Sequence, residues 1–198
     1  MIKALCHQNA VAVSLVLKVP DMNNSMNNSM NDSHWVTCYV GLGSNLSNEL
    51  GSPIDHLQQA LESMKKSEKI REISVSSFYA SAPMGPQDQP DFLNAVAGFE
   101  TVMTPFELLS FCQQLESMAK RARLRRWGER SLDVDILLYG DMQIAEPQLT
   151  VPHVGLCERN FVLIPLRELA PHLTIVETPI ANYPQSHDWT GLKLLSND

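Results

Sequence analysis

Closely spaced cysteines are lacking in this sequence. Its four cysteines stand far apart along 198 residues, and Cys38 and Cys112 lie among apolar neighbours that favour a place in the core. The six histidines are equally scattered. Neither a disulfide framework nor a zinc site is therefore predicted.

The sequence also lacks an apolar run long enough to span a bilayer. The nearest approach to a targeting signal is residues 9–20. Only Lys3 precedes this short run, and Lys18 stands where a small-residue cleavage site would be expected. We expect a cytoplasmic protein that does not engage a membrane.

An excess of positive charge is absent as well. The formal net charge of −7 argues against a general nucleic-acid binder, which would usually be basic. With 44% hydrophobic residues, the chain can bury a core without covalent staples. The length predicts one domain with at most an appendage, and we expect a monomer or a weak dimer.

Residues 1–33 differ in composition from the rest of the chain. They contain "MNNSMNNSMNDS", a near-repeat too polar to bury enough surface to fold. Its methionines recur at four-residue spacing, but the intervening Asn and Ser disfavour a helix. We expect a disordered extension over 1–33 and a single domain over 34–198.

Two helix starts share the same chemistry. "SPID" at 52–55 and "TPFE" at 104–107 each combine a capping hydroxyl, proline at the first helical position and an acid three residues after the cap. Apolar residues follow each start at helical spacing. The predicted apolar stripes are Ile54, Leu57, Leu61 and Met64, then Phe106, Leu109, Cys112 and Leu115.

Alternating apolar residues predict four strands, at 36–42, 73–79, 95–99 and from 132 onward. The resulting βαββαβ order predicts an α+β fold of the ferredoxin-like split βαβ type, an antiparallel sheet with two helices on one face. The segment "ERNFVLIPLRELAP" adds C-terminal elements, predicted to be short helical pieces broken around Pro165. Loops and polar strand residues are then left to cover the other face.

The strand that begins "LDVDILLYG" carries two carboxylates. Alternation places Leu132, Val134, Ile136 and Leu138 on one face, and Asp133 and Asp135 on the other. The Cα atoms of these two residues lie about 6.6 Å apart, and carboxylates so placed repel each other unless a cation lies between them. A divalent ion such as Mg²⁺ fits this need. The alternatives are two solvated acids, or acids paired with nearby arginines.

Arginine is concentrated immediately before that pair, at positions 121, 123, 125, 126 and 130. Guanidinium groups bind phosphate oxygens in a bidentate manner. The two features together indicate a site for a metal-bound polyphosphate, although a solvated helix end remains the alternative for the arginines. "GLGSN" lacks the Lys-Ser/Thr end of a P-loop, and no protein-kinase signature is present.

A second candidate site lies in "SAPMGPQDQPDFLNAV", residues 81–96. Three prolines and a glycine make a stiff loop that ends near Phe92 and Asn94. An aromatic ring and an amide together suit a flat heterocycle. A purely structural loop with Phe92 in the core is the alternative.

Four blocks together resemble the 6-hydroxymethyl-7,8-dihydropterin pyrophosphokinase family, over roughly residues 36–171. They are "YVGLGSNL", "SSFYASAPMGPQDQPDFLNAV", "RARLRRWGERSLDVDILLYGD" and "LTVPHVGLCERNFVLIPLRELAP". The resemblance implies the split βαβ fold and the transfer of pyrophosphate from ATP to the hydroxymethyl group of a reduced pterin, with release of AMP. Both substrates are small molecules, and neither nucleic acid nor a membrane is implied as a partner.

The resemblance also implies the site residues. Asp133 and Asp135 match acids that hold two Mg²⁺ ions, and the catalytic set adds Arg121, Arg123 and Arg130. Phe92 and Phe161 match the aromatics on either side of the pterin, and Asn94 matches the amide that reads its edge. The rest of the pterin site would be Gly43, Ser44, Asn45, Ser81, Ala82, Pro83 and Met84. The nucleotide site would be Glu116, Arg123, Trp127, Arg130, Ile136, Thr150, His153 and Arg159.

Some positions depart from the family pattern. Lys120 stands where glycine is usual and Glu129 replaces a proline, which adds negative charge near the phosphates. Gln148 stands where some members have arginine, and Phe92 is often tyrosine. None of these departures touches the Asp pair, so activity is expected.

The sequence leaves two alternative functions. An RNA-binding module of the same fold would expose aromatic residues on its central strands, which are not seen in this sequence. A relative that binds pterin or nucleotide without turnover is favoured only by Glu129. Agreement among four separate motifs favours pyrophosphoryl transfer.

Overall fold

The computed structural model describes residues 34–121 and 128–195. The expected extension, 1–33, lies outside the described residues. The helices are α1 (Pro53–Lys65), α2 (Pro105–Met118) and α3 (Asn160–Leu169), with 3₁₀ turns at Leu156–Glu158, Ile180–Asn182 and Pro184–Ser186. The strands are β1 (Val36–Ser44), β2 (Ile70–Val75), β3 (Tyr79–Ser81), β4 (Phe92–Thr101), β5 (Asp133–Tyr139), β6 (Ile144–Glu146), β7 (Leu149–Val151), β8 (Thr174–Ile175), β9 (Thr178–Pro179) and β10 (Leu192–Leu194).

Six of these strands form one sheet, in the order β10-β3-β4-β1-β5, with β2 also paired to β4. Each of these pairings is antiparallel. The hairpins β6–β7 and β8–β9 form two further sheets of two strands each. The prediction of a mixed α and β fold around an antiparallel sheet is confirmed.

The two predicted helix starts form as capping boxes. The backbone N–H of Ser52 donates to the Asp55 carboxylate at 2.8 Å, and that of Thr104 donates to Glu107 at 2.8 Å. The apolar stripes are partly different from those predicted, because Ile54 and Phe106 are exposed. In α2 the buried stripe runs through Leu108, Cys112 and Leu115. Phe106 stands about 200° around the helix from Leu108, so it faces solvent.

The predicted second strand, 73–79, is in fact two strands, β2 and β3. Ser76 causes the break: its backbone N–H donates to Val96 O at 2.9 Å, while its hydroxyl accepts from Val96 N at 3.0 Å. A side-chain oxygen thus takes the place of a backbone acceptor in the ladder. The chain bends at this point, and β3 continues along the same neighbour, β4.

Strand β5 contains a register shift that the alternation pattern did not reveal. Tyr39 pairs with Leu138, but Val40 pairs with Ile136, so Leu137 is an extra residue. Val134 and Ile136 pack into the core under α1 and α2, whereas Leu137 and Leu138 pack on the opposite face. The prediction that Leu138 shares a face with Ile136 is therefore wrong, since one extra residue reverses every later side chain.

Both faces of the sheet are covered by helices. Helices α1 and α2 cover one face, and α3 packs its buried residues on the other, against Val96 and Leu137. The predicted placement of α1 and α2 on one face is confirmed, whereas the expectations that loops and polar strand residues cover the other face and that Pro165 breaks the last segment are wrong. Burial of the side chains around Pro165 stabilises the helix although proline lacks the N–H that would bond to Phe161. In the described part of the chain, no helix has the length and apolarity needed to cross a bilayer.

Candidate active site

The candidate site is centred on Gly43, near the end of β1. Gly43 lies opposite Asn94 of β4 on one side and opposite Asp133 of β5 on the other. A Cβ at this glycine would lie 3.8 Å from Asn94 Oδ1, 3.8 Å from Asp133 Cβ and 4.0 Å from Phe92 Cδ1. The backbone of Gly43, which has no side chain, thus forms a floor between Phe92 and Asn94 on one side and Asp133 on the other.

Asn94 is buried and its amide is fixed by β3. Its Nδ2 donates to Ser81 Oγ at 2.9 Å and to the Tyr79 carbonyl at 3.3 Å. Because the donor is bound to the protein, the acceptor Oδ1 faces Gly43. The amide is thereby oriented to accept a hydrogen bond from a ring N–H or amino group.

The loop between β3 and β4 forms one wall. After buried Ser81, Ala82 is exposed, Pro83 is buried and Met84 is exposed. The Gln87 side chain donates to the Pro83 carbonyl at 2.9 Å and shapes this turn.

Asn45 connects this loop to the arginine segment. Its Nδ2 donates to Gln89 Oε1 and to the Pro90 carbonyl, both at 3.0 Å. Its Oδ1 accepts from Arg130 N at 2.9 Å. Ser44 is completely buried and alternates with Gly43, so its side chain points toward the α1 and α2 side. Of these two predicted residues, only Asn45 has a side chain that bonds to the walls of the site.

Phe161 lies on the same side of the sheet as Phe92 and Asn94. Those two residues alternate with Leu93 and share a face with Val96, which belongs to the cluster beneath α3. Phe161 packs against that cluster and against Tyr79. The sequence positions 92 and 161 are thus brought to one face by the crossing of α3 over β4.

Both oxygens of Asp133 are bound by arginines. Arg121 Nη2 lies 2.7 Å from Oδ1, and Arg130 Nη1 lies 2.7 Å from Oδ2. Arg130 also extends over the Phe92 ring, 5.7 Å from its centroid. The sequence left open whether the acids bind a metal or pair with arginine, and in this structure Asp133 is paired.

Glu116 holds Arg121 from the other side. One Glu116 oxygen bonds to Arg121 Nη1 and also accepts from the backbone N–H of Val134 at 2.9 Å. Burial raises the pKa of Glu116, while the Val134 hydrogen bond and the Arg121 charge oppose that rise. Glu116 therefore fixes Arg121 to the strand that carries the Asp pair.

Asp135 lies opposite Gly41 on the same face and faces His153. His153 Nε2 is 3.7 Å from Asp135 Oδ2, and His153 Nδ1 accepts from Gly155 N at 3.1 Å. Burial, and then the charge of Asp133, raises the pKa of Asp135. Burial lowers the pKa of His153. Because Nδ1 accepts from Gly155 N, the neutral imidazole carries its proton on Nε2.

Arg159 lies close to the backbone of Gly155. A Cβ at Gly155 would lie 2.5 Å from Arg159 Cζ, so the guanidinium would have to move if this residue had a side chain. The Arg159 charge contributes to lowering the pKa of Asp135 against the effect of burial. This arginine thus adds positive charge on the His153 side of the site.

A cavity of about 220 Å³ opens beside Asp135. It brings together three residues expected to bind nucleotide, Ile136, Thr150 and His153. Its mixed apolar and polar wall suits a purine ring. The complete lining is Leu109, Val134, Asp135, Ile136, Pro147, Gln148, Leu149, Thr150, His153 and Val154. Arg123 and Trp127, also expected on this side, lie outside the described residues.

The donor set can be tested against a metal ion. Over residues 34–121 and 128–195 there is no cluster of three or more His, Cys, Asp or Glu side chains arranged to hold one. Asp133 and Asp135 offer two carboxylates on one face. Two carboxylates with substrate phosphates suffice for Mg²⁺, so the residues fit this ion when a nucleotide supplies the other ligands.

Glu168, a residue beside the site, was not predicted from the sequence. Glu168 of α3 accepts from Ser77 N at 2.9 Å and from the Tyr79 hydroxyl at 2.5 Å, and so anchors the start of β3. Burial and the Glu168 carboxylate raise the pKa of Tyr79. Ser77 and Glu168 are 91 positions apart, and no local pattern links them.

The antiparallel sheet thus places an oriented amide, Asn94, on one side of Gly43 and a carboxylate bound by two arginines, Asp133, on the other. A family model described as 7,8-dihydro-6-hydroxymethylpterin-pyrophosphokinase matches residues 39–171. The chain belongs to this family. Enzymes of the family transfer pyrophosphate from ATP to hydroxymethyldihydropterin in folate biosynthesis.

Curated relatives agree with this assignment. The chain is 46% identical over 145 residues to 2-amino-4-hydroxy-6-hydroxymethyldihydropteridine pyrophosphokinase of Haemophilus influenzae, covering 73% of this chain and 88% of the relative. It is 44% identical over 137 residues to the protein of that name from Pseudomonas aeruginosa, covering 69% and 82%.

A solved structure is similar in fold. The Plasmodium falciparum HPPK-DHPS A437G structure with pteroate superposes with a TM-score of 0.60 at 15% identity. The match covers 80% of this chain and 41% of that longer one. At this identity the likeness concerns the fold alone.

Proposed function

We propose that this protein transfers pyrophosphate from ATP to the hydroxymethyl group of 6-hydroxymethyl-7,8-dihydropterin, giving AMP and the pterin diphosphate. The observation that carries this proposal is the arrangement around Gly43. Asn94 can bind the edge of a flat ring on one side of the glycine, and Asp133 can hold a phosphate chain through a bridging Mg²⁺ on the other. The acceptor hydroxyl and the phosphate chain would meet above this floor.

On the pterin side, Phe92 and Phe161 supply aromatic faces and Asn94 supplies the oriented acceptor. The backbone of Gly43–Asn45 and of Ser81–Met84 supplies further donors and acceptors. Support comes from the fixed orientation of the Asn94 amide and from the tie between Asn45 and the loop.

On the nucleotide side, Ile136, Thr150 and His153 would contact the base and ribose in the cavity. Glu116, Arg121, Arg130 and Arg159 would surround the phosphates. Arg123 and Trp127 belong to this proposal through the resemblance alone.

Asp133 and Asp135 would hold Mg²⁺, with two ions expected when ATP is present. The ion supplies neutralisation of the phosphate charge and orients the chain for in-line attack. Asp135 is the more accessible of the two acids, with 42% of its side chain exposed against 23% for Asp133. Desolvation at its partly buried position, and then the Asp133 charge, raise its pKa, and a bound cation would offset both effects.

The arginines have a separate task. Arg121 and Arg130 bind carboxylate oxygens in the structure described, and the same guanidinium forks match phosphate oxygens. They would stabilise the negative charge that grows on the transferred group and the leaving AMP, and positioning would supply much of the remaining rate enhancement. No residue is assigned as a general base.

Several broader expectations belong to the same proposal. The sheet order is consistent with the ferredoxin-like split βαβ topology, with α3 and the C-terminal strands as additions. Residues 34–198 would form one cytoplasmic pyrophosphokinase domain, monomeric or weakly dimeric. It would act on small molecules, without nucleic acid or membrane.

The test is a direct assay. Purified protein is mixed with ATP, MgCl₂ and 6-hydroxymethyl-7,8-dihydropterin, and both nucleotide and pterin products are followed by chromatography. AMP should appear in step with pterin diphosphate, and Asp135→Ala should abolish both. ADP in place of AMP would overturn the proposed reaction. Tight ATP binding without turnover by folded wild-type protein would instead favour the non-catalytic alternative.

A further inference from the structure

We infer that residues 186–194, here called the C-terminal strap, position the pterin wall of the active site. This inference rests on the proposed function. The strap lies beyond residues 39–171, the part that matches the family model. It is built into the site through a strand pairing, a buried side chain and a set of hydrogen bonds.

The strand pairing supports the backbone of the wall. Strand β10 pairs with β3, with Leu192 opposite Ser81 and Leu194 opposite Tyr79. On its other side β3 pairs with β4, and Ser81 accepts the hydrogen bond that orients Asn94. The strap therefore pairs with one edge of β3, and the other edge of β3 pairs with the strand that carries Asn94.

The buried side chain supports the aromatic residue. Leu192 forms a small cluster with Tyr79 and Ile164, and Phe161 packs against this cluster. Only 6% of Leu192 is exposed, although β10 is the edge strand of the sheet. Removal of Leu192 would leave space under Phe161, and the ring could then tilt or sink.

Hydrogen bonds tie the strap to α3. Asn160, the residue before Phe161, donates to the carbonyls of Asp188 at 2.8 Å and Thr190 at 2.9 Å. The Arg167 guanidinium donates to the Ser186 carbonyl at 2.7 Å. The strap thus fixes the start of the helix that carries Phe161.

The position of the strap predicts a selective effect. The sheet order places β10 at one edge and β5 at the other. The proposed nucleotide cavity is lined by Asp135 and Ile136 of β5 and by Thr150 and His153 beyond it. A loosened strap should therefore weaken pterin binding and leave ATP binding nearly intact.

The test compares Leu192→Ala with Leu194→Ala, which lies two residues along the same strand and is 54% exposed. We expect Leu192→Ala to raise the KM for the pterin about tenfold and to change the KM for ATP by less than about twofold. Leu194→Ala should change neither KM. Leu192→Met, which keeps a large apolar side chain, should raise the pterin KM much less than Leu192→Ala does. KM values are used because a fraction of unfolded enzyme lowers the apparent kcat but leaves KM unchanged.

Asn160→Ala tests the same inference without removing an apolar side chain from the core. It should also raise the pterin KM selectively, by a smaller factor. An unchanged pterin KM in both variants would overturn the inference, as would an equal rise in both KM values. If wild-type protein shows no turnover, the proposed function fails. Equilibrium titration of wild type and Leu192→Ala with the pterin then tests the strap by itself, and equal dissociation constants overturn it.

Discussion

The side-chain amide of Asn94 donates a hydrogen bond to the hydroxyl of Ser81 at 2.9 Å. The bond joins two neighbouring strands on the site face, and it determines which end of the amide points toward Gly43. Ser81 of β3 thus causes Asn94 of β4 to present a hydrogen-bond acceptor toward Gly43.

Asn94→Asp should lose this orientation. A carboxylate cannot donate to the Tyr79 and Phe92 carbonyls that the amide now contacts, and it would be buried beside them. We expect a rise of about tenfold in the KM for the pterin, because a ring N–H or amino group buried without its oriented acceptor costs about 1–3 kcal/mol on binding. Steady-state kinetics with each substrate in turn measures this. An unchanged pterin KM would show that Asn94 does not contact the ring.

Gly43→Ala should separate activity from folding. The added Cβ would meet its neighbours at 3.8–4.0 Å, which is ordinary contact, so thermal stability should hold. The methyl group would nevertheless occupy the floor of the site and lower kcat/KM for the pterin about tenfold. Gly41→Ala is the matched control, because Gly41 lies on the same strand as Gly43 and its Cβ would meet Leu137 of β5 at 3.5 Å. Equal kinetics for the two variants would contradict the position assigned to the floor.

Asp135→Asn should abolish turnover and yet stabilise the ligand-free protein. Burial and the Asp133 charge raise the pKa of Asp135 in the folded state. The stability this group contributes is therefore present at pH values below its unfolded-state pKa and is lost as the pH rises through its folded-state pKa. At pH 7 the variant should have a slightly higher Tm than wild type, since 42% of the Asp135 side chain is exposed and solvent screens the effect, and the difference should shrink as the pH falls toward 4.

Thermal unfolding without added metal, at a series of pH values, measures this difference. Asp141→Asn, at an exposed acid shortly after the strand, is the control for the loss of one negative charge. A lower Tm for Asp135→Asn at pH 7 would mean that the carboxylate is stabilised by its surroundings.

Lys120→Gly should stabilise the protein. Lys120 follows α2 with φ +54°, a left-handed conformation that glycine adopts without steric cost. Its ion pair with Glu49 joins two exposed side chains and contributes little. We expect a gain of about 1 kcal/mol in the free energy of unfolding, measured by urea denaturation. Lys120→Ala keeps the Cβ and removes only the ion pair, so a similar gain there would contradict the explanation.

The sequence predicted features with a local signature. The capping boxes at Ser52 and Thr104 formed as expected, because all their partners lie within four residues. The alternation in β1 and β4 likewise identified strands that bring Gly43 and Asn94 together.

Features that depend on distant partners were missed. The extra residue in β5 that moves Leu138 to the other face is visible only in its pairing with β1. The bond from Glu168 to Tyr79 and the burial of Leu192 join segments with no shared pattern. Helix α3 runs through Pro165 because packing outweighs a local preference against helix.

Within the site, the predicted residues on β1, β4 and β5 adjoin one another around Gly43. What the spacing did not reveal is that Arg121 and Arg130 both bind Asp133. That contact depends on how the segment between α2 and β5 is placed.

The double arginine contact of Asp133 has a consequence for the maturation of the protein. A carboxylate whose two oxygens already have cationic partners does not require an ion in order to fold. We therefore expect the chain to fold in magnesium-free solution, and chelators added during purification should leave it folded. An ion bound later beside Asp135 would add to the stability of the folded protein, because a ligand that binds only the folded state shifts the folding equilibrium.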